Sequence, residues 1–165
     1  GTYGDDVMGS VDDERVDFNI VSFSKFVARF DIVFTMPNKE DELIPFMSVD
    51  DVDFLKRRNY FNADLGCNIG VLSDSSIFKR LHCTMESSHL SNRELSALAL
   101  ETSLRDWFFA GRETFERRQR ELMEIAEKAQ LSHLCPELQD TYDKRVSKWR
   151  EKYLVDTPPN SIGGD

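Results

Sequence analysis

Two adjacent carboxylates, Asp5 and Asp6, sit in the stretch GTYGDDVMGSV near the start of the chain. Thr2, Tyr3, Val7 and Val11 favour strands, whereas Gly4 and Asp5 favour a turn, so the stretch predicts a β-hairpin. Side-by-side carboxylates repel, and strands disfavour Asp. A bound cation or plain solvent has to compensate, and the turn alone leaves both open.

The other candidate metal ligands are scattered. His82, Cys83, His89, His133 and Cys135 contain no CxxC or HxxxH spacing, so the pattern does not support a zinc site. The three cysteines, Cys67, Cys83 and Cys135, are odd in number and widely spaced. That suits reduced thiols in a cytosolic compartment.

Charge is unevenly distributed along the 165 residues. The net charge of −9 argues against a non-specific nucleic-acid binder. Acidic residues cluster in DDVMGSVDDERVD and KEDELIPFMSVDDVD, and basic residues in FLKRRNYF, ETFERRQRE and DKRVSKWREK. Such a chain is suited to hold metal ions at one place and a phosphate backbone at another. Hydrophobic residues make up 40%, with twelve Phe and two Trp, which is ample for a core. No apolar run has the length of a membrane span. Because the chain starts at Gly1, almost on top of the hairpin, it reads as a piece of a longer polypeptide.

The elements that must position the carboxylates follow in order. VDFNIVSFSKFVARF carries Ile20, Phe23, Phe26, Val27 and Phe30 at helical spacing, with Asp17 or Asn19 as the cap. DIVFTM predicts a short strand ended by Pro37. NKEDELIPFMSVDD reads as loop, and VDFLKRRNYF and CNIGVLS as strands joined through NADLG. On that strand Phe54 and Lys56 share one face, and Leu55 and Arg57 the other.

The second half is helical. Ser91 to Glu94 form a capping-box pattern before a helix that stops at Gly111. A second helix is predicted from about Glu113 to Ala129. A third starts at Pro136, with Leu138, Tyr142, Val146, Trp149 and Tyr153 along one side. VDTPPNSIGGD has no apolar period and predicts a disordered tail over 156–165. The fold class is thus α+β.

The order of these features resembles the viral RNA-dependent RNA polymerases of the picornavirus-like branch. Tyr3-Gly4-Asp5-Asp6 resembles motif C, TMPNKED resembles the motif D loop, and FLKR at Phe54 to Arg57 resembles motif E. The aromatic-rich helical half stands where the polymerase thumb would. The resemblance covers about residues 1–155. It implies the C-terminal part of a palm over residues 1–75, a helical thumb over 76–155 and the tail.

That resemblance assigns roles. Asp5 is implied as the direct ligand of Mg2+, with Mn2+ as a substitute, and Asp6 as a second, less direct ligand. Two such ions clamp the attacking and leaving oxygens of nucleotidyl transfer, and magnesium takes carboxylate oxygens. Lys39 matches the lysine that protonates the leaving pyrophosphate. Lys56 and Arg57 match the primer grip, where positive side chains hold phosphates without reading sequence. Lys79, Arg80, Arg93 and Arg105 lie near or on the first thumb helix, and Trp107 and Trp149 read as core.

The implied partners are template-primer RNA, nucleoside triphosphates, the fingers and upstream palm of the same polypeptide, and other viral replication proteins. The implied location is the host cytoplasm, at membrane-associated replication complexes. Motifs A and B would lie upstream of Gly1, so this piece alone is expected to be inactive. Two alternatives come from other classes. One is a reverse-transcriptase palm, against which Gly4 and FLKR speak. The other is a non-enzymatic module whose helical half binds a partner helix.

Overall fold

The computed structural model describes residues 2–12, 14–39, 41–83 and 86–154. The tail expected over 156–165 lies outside them. The fold is α+β, with two small antiparallel sheets and five α-helices among the described residues. The chain divides into two compact units, Gly1–Asn59 and Tyr60–Asp165.

The first unit opens with the predicted hairpin. Strand β1 (Thr2–Tyr3) pairs antiparallel with β2 (Asp6–Val7), Tyr3 opposite Asp6 and Thr2 opposite Val7. Helix α1 (Ile20–Val27) begins at Asn19, whose side chain accepts from the Ser22 amide while the Ser22 hydroxyl accepts from the Asn19 amide. Its end is closed by a 3₁₀ turn (Ala28–Phe30) and by Asp31 at φ 58°. The amides of Asp31 and Ile32 bond back to the Ala28 and Val27 carbonyls, the paired bonds of a Schellman motif, with Asp in the place usually held by Gly.

DIVFTM does not form the expected strand: residues 32–36 have no regular structure. A strand is stabilised by a ladder partner, and none pairs with this segment among the described residues. Met36 is buried, but Val33 is 87% exposed. A second correction concerns FLKRR. Instead of one continuous strand, β3 (Asp53–Phe54) turns through Leu55 and Lys56 into β4 (Arg57–Asn62). Phe54 pairs with Arg57 and Asp53 with Arg58. Residues at a turn do not alternate between faces, so the expected sharing of faces by Phe54 with Lys56 and Leu55 with Arg57 is lost.

Strand β4 continues into the second unit and pairs with β5 (Cys67–Leu72), completing a sheet of order β3-β4-β5. The NADLG link folds as a turn: Asn62 is buried, accepts from the Leu65 amide and donates to the Phe109 carbonyl. The chain then forms α2 (Asp74–His82), a helix that the apolar periodicity did not predict, capped by Ser73. Helix α3 (Asn92–Phe108) starts at Ser91 with the full capping box to Glu94, as expected. Gly111, at φ 95°, separates it from α4 (Arg112–Lys128).

The third predicted helix starts later than expected. Pro136–Gln139 is a 3₁₀ turn, and Asp140 is extended. Helix α5 (Tyr142–Leu154) follows, with the Thr141 hydroxyl accepting from the Lys144 amide. The core of this unit comprises Leu104, Trp107, Phe108, Phe115, Leu122 and Tyr142, with further residues from every helix and the loop at Leu65. Burying each large side chain contributes about 2–3 kcal/mol before entropy is subtracted.

Candidate active site

The candidate catalytic groups lie on the turns of the first unit. In the β1–β2 hairpin the two central residues are Gly4 and Asp5, and Gly4 has φ +60° while Asp5 does not share the left-handed region. Positive φ at the first central position alone is the pattern of a II′ turn, which calls for glycine there and matches the twist of a hairpin. A Cβ on Gly4 would meet nothing within 4 Å, so the conformation is the reason for glycine. The turn carries Asp5 at its tip, and Asp6 begins the returning strand opposite Tyr3. Both carboxylates are exposed.

Asp5 and Asp6 offer hard oxygen donors, which fit magnesium rather than a softer metal. They fit as part of a donor set: no group of three or more His, Cys, Asp and Glu is gathered among the described residues.

Lys39 lies in a separate turn. The Asp41 amide bonds to the Asn38 carbonyl at 3.0 Å, and the Asn38 side chain donates to the Asp41 carboxylate at 2.9 Å. This double tie joins Asn38 to Asp41, and the Lys39 side chain is exposed. The loop that follows is anchored to α1, where the Ile20 amide bonds to the Pro45 carbonyl.

Lys56 occupies the second central position of the β3–β4 turn. Leu55 and Lys56 have φ 56° and 61°, both left-handed. Two left-handed residues in a two-residue hairpin make a I′ turn, normally built from Asn-Gly. Arg57 and Arg58 follow on opposite faces of β4, and all three cations are exposed. Arg58 is a candidate that the sequence reading left out; its place in the basic run FLKRR was the signal for it.

Several cations of the helical half are engaged inside it. Arg80 pairs with Asp106 at 2.6 Å, Arg105 with Glu137, and Arg93 donates to the Gln130 carbonyl. Arg118 lies over the rings of Phe78 and Trp107, at 4.8 and 4.9 Å, and binds Asp74 and Glu121. Asp74 also accepts from the Trp107 indole, so one carboxylate and one guanidinium join α2, α3 and α4. Trp107 is buried and Trp149 packs against the core, as expected of both.

Titration follows the same geometry. The Arg105 guanidinium holds the Glu137 carboxyl below its ordinary value, and Lys144 and Lys148 do the same to Asp140. Burial pushes the Cys135 thiol up, which makes it a poor nucleophile. Among the described residues no helix is long and apolar enough to cross a membrane.

Comparison with known proteins gives two curated relatives. The chain is 23% identical over 156 residues to the replicase polyprotein of Cricket paralysis virus, across 94% of this chain and 8% of the polyprotein. It is 25% identical over 117 residues to the replicase polyprotein of Drosophila C virus, across 70% of this chain and 6% of the polyprotein. The likeness supports a viral replicase origin for the chain, which spans less than a tenth of the polyproteins it matches. No protein-family model matches it, and no solved structure does.

Proposed function

We propose that this chain is the C-terminal palm-and-thumb portion of an RNA-dependent RNA polymerase, copying viral RNA by two-metal nucleotidyl transfer as part of a longer polypeptide. The observation that carries the reading is the Asp5–Asp6 pair at the tip of a II′ hairpin. The later elements in family order support it: a capped helix, a lysine turn, a basic hairpin and a helical bundle. So does the similarity to viral replicase polyproteins, along nearly the whole chain in one and 70% of it in the other.

In this reading Asp5 and Asp6 hold Mg2+ or Mn2+ with carboxylates from the upstream palm. The metal, when bound, stabilises charge on the attacking and leaving oxygens. The chain's own residues do the rest. Gly4 permits the turn that brings the carboxylates to the tip. Lys39 gives up a proton from Nζ to the leaving pyrophosphate. Lys56 and Arg57 bind the primer phosphates and fix the position of the strand end. The helices provide the thumb, and the fingers and upstream palm of the polypeptide complete the channel for template-primer RNA and nucleoside triphosphates. Other viral replication proteins are partners of the complex, in the host cytoplasm at membranes.

The test is primer extension on an RNA template with magnesium, by the polypeptide that carries this chain. The reading predicts extension, and its loss in Asp5→Asn with RNA binding kept. Extension on RNA with deoxynucleotides only would indicate a reverse transcriptase. A folded polypeptide that extends with neither substrate would favour a non-enzymatic module.

A further inference from the structure

Several charges on α4 are matched within the second unit. Arg112 pairs with Glu116 and Asp143, Arg118 with Asp74 and Glu121, and Lys128 with Glu124. Glu113, Arg117, Arg120 and Glu127 are exposed and have no ion pair among the described residues. Of these, Arg120 and Glu127 line a cavity of about 490 Å³ between α4 and the chain at 132–139, together with Met123, Ala126, Cys135 and Leu138. Ala126, Cys135 and Leu138 are buried, and Met123 packs against the core. The result is an apolar hollow with a free cation at one end and a free carboxylate at the other. Arg120 and Glu127 are seven residues apart, about 10.5 Å along the helix axis. Ion pairs on one helix form at three or four residues, so these two do not satisfy each other.

We propose that the α4 face carrying Arg120, Met123 and Glu127 docks a second copy of this chain, its α4 running antiparallel. With a two-fold axis between Met123 and Glu124, Arg120 meets the second copy's Glu127, and Glu127 meets its Arg120. An isologous contact repeats every pair, so this one spacing of opposite charges is self-complementary. Met123 lies at the axis, and its unbranched thioether side chain suits an irregular gap. Glu124 also lies at the axis, but Lys128 holds it at 2.6 Å and offsets its charge. A different partner would need an acid, an apolar side chain and a base in the reverse order, which α4 itself already presents. The inference goes beyond the polymerase reading and does not depend on it.

The experiment is sedimentation equilibrium on the polypeptide that carries this chain, with circular dichroism to check that each form is folded. The forms are the parent, Arg120→Glu, Glu127→Arg, an equal mixture of those two, and the double variant Arg120→Glu/Glu127→Arg. The parent is expected to dimerise with concentration. Each single variant sets two like-charged pairs face to face, and should weaken self-association about tenfold or more. In the mixture every pair across the interface is opposite again, and the same holds for the double variant, so both should recover the parent's association. If one single variant does not fold, the other single variant and the double variant carry the same test. A parent that stays monomeric at the highest attainable concentration would overturn the proposal, and would leave the hollow to another protein or to a small apolar ligand. Single variants that associate as the parent does would overturn it too, as would a folded mixture or double variant that stays weakened. Association would then use another face.

Discussion

The two units of the chain solve the problem of burial differently. The second has a continuous core that includes Trp107, Phe115, Leu122 and Tyr142, fed by every helix. In the first, Val27 and Met36 are the buried apolar side chains among the described residues, while Phe26, Phe30, Ile32 and Val33 stay more than half exposed. Its ring contacts, Phe18 to Phe23, Phe23 to Phe34 and Phe26 to Phe30, are edge-to-face pairs rather than an interior. The candidate catalytic residues all lie in the unit with the small core. Short hairpins and turns hold them there by backbone conformation, at Gly4, at Asn38–Asp41 and at Leu55–Lys56. The helical unit, by contrast, gains its order from packing.

The sharpest way to break that contrast is to cut one aromatic side chain in each unit. Phe115→Ala should destabilise the helical unit by about 3–5 kcal/mol, measured by denaturant unfolding followed through Trp107 fluorescence. Phe26→Ala in the first unit should cost under about 1 kcal/mol, because that ring is already half in water. Equal losses would mean that the first unit is packed better than its exposure indicates.

A smaller effect is expected at Arg118. Arg118→Ala removes two cation–π contacts and the Asp74 ion pair that join α4 to α2 and α3, with the Glu121 pair inside α4, and should cost about 1–3 kcal/mol. Hydrogen exchange should localise the loss to α2. If exchange rises evenly through the bundle, the clasp does not act on α2.

The capping boxes allow the same comparison with matched chemistry. Ser91→Ala and Asn19→Ala each remove an N-cap and should each cost about 1 kcal/mol. Circular dichroism under denaturant should show the Ser91 loss as a shift of the main transition. The Asn19 loss should appear as fraying of α1 before it.

Acid offers the smallest effect. Glu137 and Asp140 have lowered folded-state pKa values, so the unfolded chain takes up their protons first as the pH falls. Their stabilisation is complete above the ordinary carboxylate values of 4.5 and 3.8 and is lost as the pH drops through the lowered folded values. Asp140→Asn should therefore flatten the decline of helical-unit stability below about pH 4. A decline as steep as the parent's would exclude Asp140 from it.

Legibility in the sequence followed the range of the interactions. The hairpin at Gly4, the Asn19 and Ser91 caps and α4 are local, and their residue types announce them. Helix α2 has only two turns and a Ser-rich start, so its apolar spacing carried little signal, although Ser73 before Asp74 was a readable cap. DIVFTM has strand propensity, but a strand needs a partner, and propensity does not supply one. Pro136 suggested a helix start, yet Asp140 is extended and the α-helical run waits for Thr141. The FLKR turn was hidden for a different reason: Leu and Lys are not turn-forming residues, and no local preference predicts two left-handed positions there. Of the candidate site, the residue types of Asp5, Asp6, Lys39, Lys56 and Arg57 were legible. The hairpin under Asp5 and Asp6 was legible too, whereas the turns at Lys39 and at Leu55–Lys56 came from the structure.

The central claim is that Asp5 and Asp6 hold the metal of a nucleotidyl-transfer site. The most direct measurement is the single-turnover rate of nucleotide addition by the polypeptide that carries this chain, on a preformed RNA primer-template with magnesium, for the parent and Asp5→Asn. The account predicts addition by the parent, a loss of at least about a hundredfold in Asp5→Asn, and equal RNA affinity for both. Equal rates in the two forms would contradict it, and would leave the carboxylates at the hairpin tip as solvated turn residues.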